Sequence, residues 1–129
     1  MKCKIMILKG APTGAPFLKV LFANTFLLRL RGLMGRKRLP EFTGLLLVPC
    51  DSVHMCFMRF SIDVVYLDKD LTILKIVKNL KPWIGLSMCH GAWATLELNA
   101  GEAGRFDLEI GRQLVLGHEP PVGSGRETV

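Results

Sequence analysis

Short apolar or alternating runs, separated by turn-forming residues, recur along most of the chain. Runs of this length that are rich in Val, Ile, Leu and Phe are typical of β-strands, and clusters of Gly, Pro, Asn and Asp are typical of the turns between them. The stretch 43–49 is apolar throughout, which predicts a strand buried on both faces, whereas 79–91 predicts irregular structure. The pattern predicts eight strands, over residues 3–8, 17–23, 43–49, 53–58, 62–67, 72–78, 93–98 and 112–116.

One segment between these strands has helical spacing of its apolar residues. Asn24 or Thr25 can cap a helix over residues 26–34, and Gly35 can end it. Many short strands with one helix near 26–34 predict a mainly β (α+β) fold, built as a small antiparallel β-barrel or sandwich.

The length of 129 residues and a hydrophobic fraction of 50% predict one domain with a core that needs neither disulfides nor metal. We expect that domain to span 1–116, and the Gly, Pro, Ser and charge of 117–129 predict a disordered tail. The four cysteines form no Cys-x-x-Cys pair, and no apolar run is long enough for a signal peptide or a membrane span. These features predict a soluble protein of a reducing cytoplasm.

The charge is distributed unevenly. The net charge is +6, and residues 1–40 contain nine basic residues and no acidic one. This region could bind nucleic acid weakly, in which case added salt would weaken the binding steeply. A solvated basic face that keeps the protein soluble is the alternative interpretation.

The densest group of polar residues lies between Cys50 and Asp63. If 53–58 is a strand, His54, Cys56 and Met58 share one face, and Cys50 or the Cys89-His90 pair could complete a metal site if these groups meet in space. The Cys-x3-His-x-Cys spacing matches no common zinc pattern, so the sequence predicts no metal and no cofactor. A small enzyme with Cys56 as nucleophile, His54 as base and Asp63 as the orienting group is a second hypothesis. A structural role for a partly buried His54 is a third.

Two carboxylates lie in segments that otherwise read as core. Asp63 needs a partner if it is buried, and Arg59, Arg29 or Arg31 could form a structural ion pair with it. Asp63 could equally be a binding-site carboxylate in a cleft. Glu97 alternates with leucines on its strand, which predicts exposure to solvent on the open face of the sheet, or a similar site role.

The sequence contains distinctive blocks over residues 23–25, Arg-Leu-Arg-Gly-Leu-Met-Gly-Arg over 29–36, 44–48, 53–68 and Leu-Glu-Leu-Asn-Ala-Gly over 96–101. Together these blocks resemble the domain of unknown function 192 family, a widespread set of small prokaryotic domains. The similarity extends from about Ile5 to Leu116. Two departures from the family pattern are Cys56-Phe57, where the family has an aromatic pair, and Gly111-Arg112, where it has Gly-Asp.

The resemblance implies a small barrel-like fold with a short helix and no established activity. A motif rich in Met and Arg suits adaptable packing and anion contact. We therefore expect a non-catalytic binding or accessory domain for an unknown ligand or protein partner, with a cleft around Met58–Asp63. The binding candidates are Arg29, Arg31, Met34, Met58, Arg59, Asp63 and Glu97.

Overall fold

The structure, a computed structural model, describes residues 3–11, 14–23, 38–55 and 58–117. In these residues it contains nine strands and one short helix, α1 (Glu102–Arg105). The strands are β1 (Cys3–Leu8), β2 (Leu18–Ala23), β3 (Thr43–Leu47), β4 (Ser52–His54), β5 (Ile62–Leu67), β6 (Ile73–Leu80), β7 (Leu86–Met88), β8 (Ala94–Asn99) and β9 (Leu114–Gly117). The predicted mainly β fold is confirmed.

Seven strands form one sheet in the order β6-β5-β8-β3-β2-β1-β9, and β4 pairs with β7 in a second, two-stranded sheet. All neighbours in the large sheet are antiparallel except β2 and β3. A parallel pair needs a long crossover connection, which the chain between Ala23 and Thr43 supplies. The helix predicted over 26–34 falls in this connection and lies outside the described residues.

The large sheet curls into a half-barrel. Its two edges meet at one end, where Thr72 bridges Gln113 and the backbone N–H of Ile73 donates to the carbonyl of Arg112 at 2.8 Å. Curling gives the sheet an inner and an outer face, and each face has its own cluster of buried side chains. The inner cluster includes Leu96, Leu98 and Ala103 of α1, and the outer cluster includes Leu45, Val64 and Tyr66.

The central strands are buried on both faces. Every residue of β3, β5 and β8 is buried, as the sequence predicted for the apolar run of β3. The outer face is covered by the segment around Leu39 and by the β4–β7 sheet, which brings Val53 and Met55 into the outer cluster. Polar side chains on these strands therefore lie between two apolar layers.

Two sequence predictions were wrong in this part of the chain. The strand predicted over 53–58 ends at His54, and the N–H of Met58 donates to the carbonyl of Met55. The segment 79–91 contains the end of β6 and all of β7. β7 exposes Leu86 and Met88, so it lacks the pattern of a half-buried strand.

Gly117, the first residue of the predicted tail, is the last residue of β9, and the rest of that tail lies outside the described residues. In the part of the chain that the structure describes, no helix is long and apolar enough to cross a bilayer.

Candidate functional site

Asp63 lies on the inner face of β5 and is 1% exposed. Its carboxylate accepts three backbone hydrogen bonds. Oδ1 accepts from the N–H of Asn79 at 2.9 Å, and Oδ2 accepts from the N–H groups of Gly101 and Ala103 at 3.0 Å each. Three hydrogen bonds from backbone N–H groups satisfy this buried carboxylate without a cationic partner.

The local backbone leaves these three N–H groups without a backbone acceptor, so they can donate to Asp63. The pairing of β5 with β6 shifts register between Ile62 and Val64, and Asn79 opposite this irregularity has a φ of 57°. Gly101 and Ala103 lie at the start of α1, where N–H groups have no intrahelical acceptor. Asp63 therefore fixes both the irregular end of β6 and the start of α1.

The ion pair that the sequence suggested for Asp63 is absent from the described residues. Arg59 is exposed, and the ion pair found in the described ranges joins Arg105 to Glu102 at 3.5 Å. Arg29 and Arg31, the other suggested partners, lie outside those ranges.

Glu97 lies on the outer face of β8, in register with Val64 on one side and Leu45 on the other. The predicted solvent exposure is wrong, because Glu97 is 6% exposed. The carboxyl group has no hydrogen-bond or ion-pair partner among the described residues, and burial raises its pKa to about 7. A carboxyl group in this position is retained at a cost to the fold when it is ionised.

The covering layer explains the burial of Glu97. On either side of it along β8, Asn99 and Thr95 hold segments that lie over the outer face. The Asn99 side chain accepts from the N–H of Leu39 at 3.0 Å and donates to the Leu39 carbonyl at 2.8 Å. The Thr95 hydroxyl donates to the Cys50 carbonyl at 2.8 Å.

Tyr66 connects the large sheet to the small one. Its hydroxyl donates to Ser87 Oγ on β7 at 2.9 Å. Burial raises the pKa of Tyr66 to about 12, with smaller contributions from the negative charges that Cys50, Cys89 and Glu97 can carry. The outer face thus brings two buried titratable side chains and two thiols within electrostatic range of one another.

The residues of the predicted cleft do not converge on one cavity. Met58 is buried in the outer cluster, whereas Asp63 points to the inner face. His54 is exposed on β4 instead of partly buried, and Arg59 is exposed as well. The candidates Arg29, Arg31, Met34 and Cys56 lie outside the described residues.

The cysteine and histidine residues form no metal-binding group in the described ranges. No set of three or more His, Cys, Asp or Glu side chains there is placed to hold a metal ion. Cys50 and Cys89 are free thiols, both packed against the outer cluster, and His90 is exposed.

The inner face opens into a cavity of about 340 Å³ at one end of the half-barrel, here called the barrel-mouth cavity. Its walls come from β1, the β1–β2 connection, the start of β2, the segment after α1 and the start of β9. The cavity is mainly apolar, with Asp107 and Arg112 as its charged residues. The lining residues are Met6, Ile7, Leu8, Gly10, Ala11, Ala15, Pro16, Leu18, Phe106, Asp107, Leu108, Arg112 and Leu114.

Asp63 supports one wall of this cavity indirectly. Its carboxylate holds the N–H of Ala103, and Phe106, directly after α1, lines the cavity. The Phe106 ring packs edge-on against Phe42, with ring centroids 5.7 Å apart, and the Arg105 guanidinium lies 5.0 Å from the centre of the Phe42 ring.

Glu102, in α1, is a third buried carboxyl group. One oxygen lies 3.5 Å from Arg105, and the other is buried without a hydrogen-bond partner among the described residues. Burial raises the pKa of Glu102, and the positive charge of Arg105 partly opposes this shift.

Sequence reasoning missed the barrel-mouth cavity, Glu102 and the role of Tyr66. The cavity is lined by residues that are far apart in the sequence and individually look like core, so no local pattern marks it. Tyr66 offered only the general signal that a buried tyrosine hydroxyl needs a partner.

Comparison with known proteins identifies relatives without an established activity. The chain is 31% identical over 101 residues to a UPF0127 protein of Thermococcus sibiricus, covering 74% of this chain and 64% of that protein. It is 37% identical over 71 residues to a UPF0127 protein of Pyrococcus furiosus, covering 51% of this chain and 59% of that protein. The matched part thus spans about three fifths of the length of these curated relatives.

Two solved structures share the fold. A protein of unknown function from Novosphingobium aromaticivorans superimposes with a TM-score of 0.74 at 21% identity, covering 87% of this chain and 83% of that chain. A Sinorhizobium meliloti protein described as a candidate transcription regulator superimposes with a TM-score of 0.79 at 24% identity, covering 89% of this chain and 94% of that chain. At these identities the likeness concerns the fold alone.

The family model described as "Uncharacterized ACR" matches residues 9–116, which include every strand from β2 to β8 and the motif around Asp63. The chain therefore belongs to the domain of unknown function 192 family, as its sequence blocks implied.

Proposed function

We propose that this chain is a non-catalytic binding domain that holds a small, mainly apolar molecule in the barrel-mouth cavity. The observation that carries the proposal is the cavity itself, with a volume of about 340 Å³ at the open end of a half-barrel. Ligand pockets in proteins have volumes from about 300 Å³ upward and combine apolar walls with a few polar groups. The mouth of a barrel is a common place for them.

The charged residues of the cavity suggest the class of ligand. Arg112 is exposed, and its guanidinium donates to the backbone carbonyl of Asp107 at 3.5 Å. A guanidinium beside an apolar cavity suits a molecule with an apolar body and a carboxylate, sulfonate or phosphate group. Arg112 stands where the family pattern has an acidic residue, so this preference would belong to this chain and not to all of its relatives.

The positions of the catalytic candidates also favour binding over catalysis. His54 is exposed on the small sheet, whereas Asp63 is buried on the inner face and already accepts three backbone hydrogen bonds. A general base must reach its substrate, and an orienting carboxylate must reach the base. The positions of Asp63 and His54 therefore argue against Asp63 as the group that orients His54.

The experiment is a titration of the full chain with 1-anilinonaphthalene-8-sulfonate, which has an apolar body and one sulfonate. Ala15→Phe places a ring in the cavity, and we expect it to weaken binding by about tenfold or more, because it fills space that the probe needs. Ala100→Phe is the matched control, since Ala100 is exposed and does not line the cavity. Arg112→Gln should weaken binding by about fivefold through loss of the charge contact.

Equal binding by wild type and Ala15→Phe would contradict the proposal, since the probe would then sit elsewhere. Failure of the wild type to bind either this probe or decanoate would contradict it as well.

We also propose a reducing cytoplasm as the compartment. Cys50 and Cys89 are both unpaired, which supports this view. Counting reactive thiols in protein isolated from its native cells under acid quench tests it, and blocked or disulfide-bonded Cys50 and Cys89 would contradict it.

A further inference from the structure

Four of the five most exposed large apolar side chains of the described residues lie in one short segment. Ile84 is 83% exposed, Leu86 76%, Met88 66% and Trp83 57%. We call residues 83–88 the docking loop. Single exposed apolar residues are ordinary on protein surfaces, whereas four within six residues indicate a surface that binds another protein or a membrane.

The docking loop has a fixed backbone. The N–H of Trp83 donates to the carbonyl of Met55 at 2.7 Å, and the N–H of Met55, which is fully buried, donates to the carbonyl of Gly85 at 3.0 Å. A Cβ atom at Gly85 would lie 2.5 Å from the Lys81 carbonyl oxygen and 2.7 Å from the Met55 side chain, so the loop packs too closely for any other residue. The protruding side chains are therefore held outward by a rigid support.

Trp83 adds a second unusual feature. Its φ is 67°, in the left-handed region that bulky residues rarely adopt. Such a conformation persists only where the surrounding structure imposes it, and it concentrates at sites of function. Trp83, the residue in this conformation, also donates the hydrogen bond to Met55 and directly precedes Ile84, the most exposed side chain of the loop.

The charge around the docking loop is positive. No Asp or Glu occurs between Asp70 and Glu97, and this stretch includes Lys75, Lys78 and Lys81. All three lysines are exposed, and the Lys75 ammonium donates to the Met88 carbonyl at 2.8 Å, which places it beside the loop. At the end of β7 the N–H of Cys89 donates to the Asp51 carbonyl, which places one acidic residue next to the loop.

We propose that the docking loop and its three lysines bind the surface of an anionic lipid bilayer. Protruding Trp, Ile, Leu and Met side chains can enter the boundary between headgroups and acyl chains, and lysines around them can contact lipid phosphates. The negative surface of the cytoplasmic leaflet attracts such basic residues. This surface lies on the outer side of the sheet and is independent of the barrel-mouth cavity, which opens on the inner face.

The test is co-sedimentation of the full chain with phosphatidylcholine vesicles, with and without about 30 mole per cent phosphatidylserine, which gives the vesicles a negative surface. We expect binding that requires phosphatidylserine and weakens as salt rises, because the lysine contribution is screened. Ile84→Glu should reduce binding by about tenfold or more, and each of Lys78→Glu and Lys81→Glu by about fivefold or more.

Two matched variants control for the added charge. Ile110→Glu changes an isoleucine that is 68% exposed outside the docking loop, and Lys69→Glu changes an exposed lysine that precedes the acid-free stretch. Each variant lowers the net charge of the protein. We expect the loss of vesicle binding in each to stay within about twofold of the loss that this change in net charge alone would cause. Circular dichroism of each variant establishes that it is folded before its binding is interpreted.

Three results would overturn the proposal. The folded wild type could fail to bind phosphatidylserine vesicles at low salt, or Ile84→Glu could bind no more weakly than Ile110→Glu. The third is self-association of the wild type that Ile84→Glu abolishes, without vesicle binding, which would assign the surface to a second copy of the chain. Loss of vesicle binding by Ile84→Glu with unchanged probe binding in the cavity would confirm that the two surfaces are separate.

Discussion

Each of the two faces of the half-barrel buries a carboxyl group, but the two groups differ in the hydrogen-bond donors around them. On the inner face, Asp63 accepts hydrogen bonds from three backbone N–H groups. On the outer face, Glu97 lies between Val64 and Leu45, without a partner among the described residues, and its pKa is raised to about 7. Both residues are less than a tenth exposed, so the difference comes from the donors around them and not from burial.

The comparison distinguishes a carboxylate that stabilises the fold, Asp63, from a carboxyl group that costs stability when it is ionised, Glu97. The N–H groups of Asn79, Gly101 and Ala103 would be unsatisfied without Asp63, because an irregular strand and a helix start leave them free. Nothing in the described structure needs the charge of Glu97. A buried acid kept without a structural partner is often kept for a role outside the fold.

The largest effect is expected on the inner face. Asp63→Ala should lower the free energy of unfolding by about 4 kcal/mol, because three buried donors lose their acceptor. Urea denaturation at neutral pH measures the change. Asp68→Ala is the matched control. Asp68 also accepts two backbone N–H groups, but it is only partly buried, in a turn where water can replace it, so we expect a loss of about 1 kcal/mol. Equal losses of stability in Asp63→Ala and Asp68→Ala would mean that burial of the donors does not cause the larger effect expected at Asp63.

Glu97→Gln should stabilise the protein by about 3 kcal/mol at pH 8 and change it little at pH 4. The pKa of Glu97 is higher in the folded protein than its ordinary value of 4.5, so the fold favours the protonated acid. The wild type therefore has its full stability below about pH 4.5 and loses part of it as the pH rises toward 7. The variant should lack this loss.

Denaturant titrations across the pH range check this prediction, with the exposed Glu109→Gln as control. A wild-type stability that rises between pH 4.5 and 7, relative to Glu97→Gln, would mean that the ionised form has a partner.

Asn99→Ala should lower the stability by about 2 kcal/mol, since the Leu39 N–H and carbonyl both lose a buried partner. Thr95→Val, which removes one hydrogen bond to the Cys50 carbonyl, should cost about 1 kcal/mol. Thermal denaturation of the two variants, measured in parallel, gives the ratio of their losses of stability. The order would reverse if the covering segment around Leu39 were held mainly by its apolar contacts.

The smallest effect is expected at Tyr66. Tyr66→Phe removes the hydrogen bond to Ser87 and should cost about 1 kcal/mol. A double-mutant cycle with Ser87→Ala isolates the pair, and additive losses would show that the two hydroxyls do not interact. Ultraviolet titration of the wild type should place the tyrosine ionisation near pH 12.

The fold was largely predictable because its long strands obey simple patterns. The apolar run of β3 and the hairpin from β5 to β6 gave clear periodicity and turn signals. The short sheet of β4 and β7 was not predictable in the same way, since each strand has three residues and β7 turns its apolar side chains to solvent. Pairing of such strands depends on the rest of the fold and not on their own sequence.

The site was less predictable than the fold, for a physical reason. The sequence showed that Asp63 stands in a buried segment, yet its backbone donors come from residues 16 to 40 positions away. The exposure of Glu97 was predicted wrongly because alternation reveals which face a residue takes and not whether that face is covered. The barrel-mouth cavity depends on how far the sheet curls, which no local pattern records.

The most direct test of the contrast is the carboxyl-carbon NMR titration of Glu97 in protein labelled with carbon-13, assigned by comparison with Glu97→Gln. We predict a midpoint near pH 7, as expected for a buried acid with no hydrogen-bond or ion-pair partner in the described part of the chain. A midpoint at or below its ordinary value of 4.5 would show that Glu97, like Asp63, has stabilising donors, and the difference between the two faces would not exist.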